Sequence, residues 1–184
     1  MERSRNNVRL HPDILEMLFA FKGKVSSVFR DVLGIHEIDH IACTRISKDN
    51  QLLTLSSTPS LEFNLFSSPL WRCDKTYKFQ WLKLCQHDYW QNLYSHNRYD
   101  ELYYLKQIKH AYPLGISLAA QIEEEYMIYS LASKKSCAHT RDLFATQSED
   151  FYKIGQYCSN RLYSIFKTCD TIGVDQRLQE NSCR

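Results

Sequence analysis

Glycine and proline are scarce in this sequence, five and four among 184 residues. Loops that cradle phosphate are built on clustered glycines, and neither G-x-G-x-x-G nor the P-loop pattern is present. The nucleophile elbow G-x-S-x-G and the zinc-protease pattern H-E-x-x-H are missing as well. No two of the seven cysteines stand as C-x-x-C, and their odd count and scattered spacing fit no disulfide framework. They are expected as free thiols in the cytoplasm. The opening Met1-Glu2-Arg3-Ser4-Arg5 leads into no apolar signal-peptide core, although secretion by another route is compatible with that. No apolar run approaches the roughly 18 residues of a membrane span. Neither sign of charge dominates: 23 basic and 21 acidic side chains leave a net charge of +2, with no footprint for nucleic acid. The only basic cluster is Arg3, Arg5 and Arg9, in a segment 1–9 expected to be flexible.

What is present is the composition of one globular domain, 43% apolar and 24% charged, with an enriched aromatic share that includes twelve tyrosines. The domain is expected over 10–170, followed by a flexible, polar tail over 171–184. After Pro12, the residues Ile14, Leu18, Phe21, Val25, Val28 and Val32 form one helical stripe, ended by Gly34. Ile35 to Ile46 and Gln51 to Ser57 read as a hairpin turning at Asp49-Asn50. Pro59 stops the second strand, and a short helix is expected near Leu61–Phe66. The alternation of Tyr77, Phe79 and Trp81 favours a strand over 77–84. Helical spacing returns over 86–110 through Leu93, Leu102, Leu105 and Ile108, with an interruption at Asn97-Arg98 and a stop at Pro113. Leu114 to Ile122 and Glu125 to Ser133 form a second hairpin around Glu123-Glu124. A last helix starts at Ser148 and carries the stripe Phe151, Ile154, Cys158, Leu162, Ile165 and Cys169. Hairpins interrupted by helices imply an α+β fold: helices flanking a central antiparallel sheet of about five strands.

The search for chemistry is mostly negative. His36 and His40 would share the face of a strand yet lie about 13 Å apart, too far for one metal. His87 and His110 fall in helical segments as structural histidines. Cys43, between Asp39 and Arg45, is the best placed thiol, but no histidine pairs with it to make a thiolate. Glu123-Glu124-Glu125 reads as a solvated turn. No catalytic residue, metal ligand or cofactor is expected.

Two groups of residues carry a resemblance. The first is Gly34-Ile35, Ile38 and Thr44-Arg45-Ile46, followed by Leu52-Leu53-Thr54-Leu55-Ser56-Ser57. The second is Pro113-Leu114-Gly115-Ile116-Ser117, Tyr129-Ser130-Leu131-Ala132-Ser133, and the helix with Phe151-Tyr152 and Leu162 to Phe166. In order and spacing, over about 10–168, they resemble the autoinducer-binding, PAS-like domain of LuxR-type bacterial transcriptional regulators. The resemblance implies an α-β-α sandwich with a ligand pocket between sheet and helices. The sequence departs from the family where lactone-contacting Trp, Tyr and Asp-Pro would follow the second strand. It has Leu61, Glu62, Phe63 and Phe66 there, with Trp71 late and Asp74 followed by Lys75, so an acyl-homoserine lactone is not the expected ligand. The family's helix-turn-helix finds no counterpart, and DNA binding is not carried over.

The expected pocket lies where strands carry small side chains: Thr54 and Ser56 on one, Ser117 and Ala119 on another. Tyr126 and Tyr129 alternate, so only one of them faces it, and Tyr129 is the one chosen. Phe63 and Trp81 would close the space with apolar area. The expected function is a non-enzymatic sensor of a small, mostly apolar signal molecule. The alternative is a protein-protein interaction module, as a homodimer or a secreted effector that reuses the fold without a ligand. A membrane and nucleic acid are not expected as partners.

Overall fold

Six strands form one sheet in the order β1-β3-β2-β6-β5-β4. They are β1 (Arg9–Leu10), β2 (His40–Ile46), β3 (Gln51–Ser56), β4 (His87–Tyr89), β5 (Leu114–Ile122) and β6 (Glu125–Ser133). All neighbours are antiparallel except β1, which runs parallel to β3. The structure, a computed structural model, describes residues 7–182, the last eleven of them as backbone alone. Arg3, Arg5 and Cys183 therefore lie outside the described residues, whereas Arg9 belongs to a strand. The helices are α1 (Ile14–Ala20), α2 (Lys22–Arg30), α3 (Pro59–Phe66), α4 (Phe79–Leu82), α5 (Trp90–Leu93), α6 (Tyr99–Tyr103), a π-helical segment (Tyr104–Lys109), α7 (Ala138–Thr146) and α8 (Ser148–Ser182). α8 thus runs on through 171–182, where a flexible tail was expected.

Register and alternation assign the faces of the sheet. Leu55, Cys43, Tyr129, Leu118 and His87 form one row across β3-β2-β6-β5-β4. Its neighbouring row is Thr54, Thr44, Ile128 and Ala119, on the opposite face. Tyr129 donates toward or accepts from Ser159 on α8 at 3.2 Å, so the first row faces α8, with α2 beside it. Trp90 Nε1 donates to Ser130 Oγ at 3.1 Å, so the second face meets α3, α5 and the π segment. The three-layer α+β arrangement follows. Every residue of the α8 stripe from Phe151 to Cys169 is buried, as its spacing requires.

Four local readings are corrected. The first stripe is two helices, because the backbone breaks at Phe21 (φ −112°, ψ 29°). Within 77–84 the chain forms the short helix α4 instead of a strand: Trp81 and Leu82 are adjacent and both buried, which a half-buried strand forbids and a helical turn allows. His87, taken as helical, opens the three-residue β4. Ile35 to Glu37 forms a 3₁₀ turn rather than the start of β2, with Gly34 left-handed at φ 94°.

Arg45 on β2 ties the α8 face together. Its Nε donates to Glu125 at 2.8 Å and its Nη1 to Asp170 of α8 at 2.8 Å. The hydrogen bonds from Arg45 to Glu125 hold that carboxyl below its usual range against the opposing effect of burial. A carboxyl depressed by folding stabilises the fold above its unfolded pKa and loses that contribution as pH falls through the folded value. The stability gap between the native protein and Glu125→Gln should therefore shrink as pH drops from about 5 to about 3 in urea titrations. A constant gap would place the carboxylate outside the pair.

Candidate functional site: a buried polar seam on one face of the sheet

The face opposite α8 carries an unusual load of polar side chains. Thr44 and Thr54 hydroxyls lie 2.8 Å apart, and Ser117 and Ser130 hydroxyls 3.3 Å apart, all buried. Ser56 Oγ accepts from Thr58 N at 2.9 Å, at the entry to α3. Three of the expected site residues, Thr54, Ser56 and Ser117, therefore do share one face. Two do not join them. Tyr129 points to the α8 side, and it is Tyr126, its ring 6.0 Å from Phe79, that turns to this face. Phe63 is 40% exposed, because α3 buries Leu61, Glu62, Leu65 and Phe66 and turns Phe63 outward against Phe19. Trp81 is buried on α4, which packs on β5.

The volume over Ser117 is occupied by Trp90. Its ring lies on Gly115, where a Cβ would meet ring carbons at 2.2 Å. Leucine at position 117 would have to displace the Ser130–Trp90 contact, so Ser117→Leu should cost about 1–3 kcal/mol, as overpacked cores do. Chemical denaturation checks this, and an unchanged midpoint would mean the side chain enters free space.

Around Trp90 lies chemistry that sequence reasoning missed. Asp74, 0% exposed, accepts from Lys106 Nζ at 2.7 Å with Oδ2 and from Thr76 N at 3.0 Å with Oδ1. Lys106, 2% exposed, sits 4.7 Å from the Trp90 ring centroid and 5.4 Å from that of Tyr94. The Tyr94 hydroxyl donates to Gln107 Oε1 at 3.3 Å. Burial first and the Asp74 carboxylate second push the Tyr94 phenol up, which keeps it a donor. Lys106 enters because the turn here is π-helical, with His110 N donating to Leu105 O at 3.2 Å. That wider turn buries Lys106 and Gln107 and leaves Ile108, assigned by its spacing to the apolar stripe, 56% exposed.

Farther along the same face His40, 0% exposed, packs against Tyr112 with ring centroids 5.1 Å apart and the planes tilted by 40°. Its Nε2 is 3.4 Å from Glu62 Oε1 but without hydrogen-bond geometry. Both ring nitrogens of His40, Glu62 Oε2, Thr76 Oγ1 and Gln107 Nε2 find no hydrogen-bond partner among the described residues. Buried polar atoms in this condition are few in native folds, and they gather where a ligand or water completes them. His36, by contrast, lies outside the strand and meets Asp150 at 3.1 Å, so the two histidines have separate partners. Among the described residues no three metal-ligating side chains come together. Cys43 is no activated nucleophile: burial, then its neighbour Cys158, pushes the thiol well up. The six cysteines among the described residues are free, and no described helix is long and apolar enough to cross a membrane.

One signal could have marked the seam. Lys106 stands four residues after Leu102, in phase with buried positions, where a solvated lysine does not belong.

No family model matches this chain, and no curated protein does. Ten solved chains match it in structure. One is the VqsR LBD domain from Pseudomonas aeruginosa, to which the chain is similar at 16% identity and a TM-score of 0.47, over 81% of this chain and 92% of that one.

Proposed function

We propose that this chain is a non-enzymatic sensor domain that holds a small molecule between the sheet and the layer formed by α3, α5 and the π segment. The observation that carries this reading is the set of unpartnered buried polar atoms on His40, Glu62, Thr76 and Gln107. They lie among the aromatic rings of Trp90, Tyr94 and Tyr112, all buried. Small-molecule sites combine such apolar walls with a few convergent polar groups. The molecule is therefore partly polar, with an organic body that the rings cover. Thr54, Ser56 and Ser117 belong to the floor of this layer, and their hydroxyls are already used within the protein.

Native mass spectrometry of the purified protein is the test. An adduct of small-molecule mass that disappears on denaturation is the expected result. A bare protein that also shows no thermal shift across a metabolite library would end the sensor reading.

The interaction-module reading keeps one observation of its own. Phe19 and Phe63, 47% and 40% exposed, meet edge to face at 6.0 Å on adjoining helices. Exposed aromatic pairs suit a protein partner. Sedimentation of the native protein and of Phe63→Ser distinguishes the two readings, since only an interface makes association depend on Phe63.

A further inference from the structure

The walls around Lys106 Nζ are held by contacts that do not involve the lysine. Asp74 pairs with Tyr94 through an isolated antiparallel bridge, and Ser95 N donates to Cys73 O at 2.9 Å. Asp74 is fixed further by its bond from Thr76 N. Trp90 is pinned by Gly115 beneath it and by Ser130 at its Nε1. One carboxylate oxygen and two ring faces thus converge on a single fully enclosed point. A carboxylate neutralises a cation there, and aromatic faces attract it through their quadrupoles. This is recognition chemistry for an alkylammonium group. Lysine is one such group, a butylammonium chain tethered at its far end.

The tether is unusual. Lys106 lies in the π segment, whose i→i+5 bond inserts one residue relative to an α-helix. Closing that turn to α would shift the residues on one side of it by one position, about 100° of rotation. Such a shift carries the ammonium out of the enclosure.

We propose that Asp74, Trp90 and Tyr94 form a binding box for a small alkylammonium ligand. Lys106 is its tethered occupant in the described state, and the π segment is the device that withdraws it. The proposal rests on the small-molecule reading above and names its ligand class. Entry of the ligand replaces one ammonium by another, so the box stays neutralised while Lys106 moves toward solvent with the segment that bears the exposed Tyr104 and Ile108. Ligand binding is thereby converted into a change at the surface.

The test uses Lys106→Ala with n-butylammonium chloride as the probe, and sodium chloride at equal ionic strength and 1-butanol as controls. A saturable rise in the thermal midpoint with the amine alone is expected. It should lose about ten-fold or more in apparent affinity when Asp74→Asn is added, the loss of one charge-assisted bond. No rise, or an equal rise with 1-butanol, overturns the box. If Lys106→Ala does not fold by itself, refolding from urea with the amine present makes the same decision: recovery is expected, and aggregation regardless overturns it. In the wild-type protein, hydrogen exchange should quicken at 104–109 when amine is present and stay constant in α8. Unchanged exchange at 104–109 overturns the withdrawal of Lys106. Should the amine fail while a neutral molecule is found on the wild-type protein, the sensor reading stands and only the ligand class falls.

Discussion

Lys106→Met should lower the unfolding free energy by about 3–5 kcal/mol, the cost of leaving a buried charge without its partner. Asp74 is fully enclosed, and Lys106 is the only side-chain donor bonded to its Oδ2 among the described residues. Methionine fills the lysine's volume, so cavity formation contributes little. Its sulfur gains something against Trp90, about 0.3–1.5 kcal/mol for a sulfur–aromatic contact, which is too little to offset the orphaned carboxylate. Adding Asp74→Asn removes the charge and should restore much of the loss, because a buried pair replaced as a whole is often nearly neutral. A double-mutant cycle in urea, with unchanged slopes, measures the coupling. A loss below about 1 kcal/mol, the range of exposed pairs, would mean that water reaches the pair in solution.

That pair also shows where sequence reading stopped. Patterns that depend on near neighbours were legible. Alternation and the turn at Glu123-Glu124 place β5 and β6 at Leu114–Ile122 and Glu125–Ser133, the bounds observed. The α8 stripe is equally local. Elements with weak local patterns were not legible. β4 is three residues long and exists because β5 offers it an edge. α7 buries only Thr140 and Phe144, too few positions to make a stripe, and went unread. Asp74 and Lys106 are separated by 32 positions and meet only through the folded chain. The small-residue argument grouped Thr54, Ser56 and Ser117, and the three do share one face of the sheet. It could not find what covers that face, because a π turn shifts the helical phase on which burial was counted. Tyr129 lies on the other face from those three, toward α8, because alternation separates it from Tyr126 without saying which of the two turns to which layer. On the α8 side, Gly155 leaves room for the Tyr129 ring.

Gly155→Ala is accordingly expected to cost about 3 kcal/mol or more, at the upper end of overpacking penalties. The added Cβ would stand 2.2 Å from Tyr129 Cγ, 2.4 Å from Cδ2 and 2.6 Å from Cδ1. These atoms are the stem of the ring, not a flexible end that swings aside. The strand beneath is β6, hydrogen-bonded to β2 on one side and β5 on the other, so it cannot retreat. α8 must lift instead, which weakens the contact of Tyr129 with Ser159 and exposes the stripe through Cys158 and Leu162. Helix propensity opposes this, since alanine improves on glycine in a helix interior by about 1 kcal/mol. Steric overlap with three ring atoms outweighs that gain. Tyr129→Leu should relieve part of the clash, so the double variant will lose less than the two single losses added together. Urea denaturation with near-ultraviolet circular dichroism reports both the stability and the packing of the tyrosine. An increase in stability, as an exposed helical glycine would give, would show that α8 does not rest on the sheet at Gly155. The face of the sheet that carries Tyr129 would then be open to ligand, and the site would move from the Trp90 side to the α8 side.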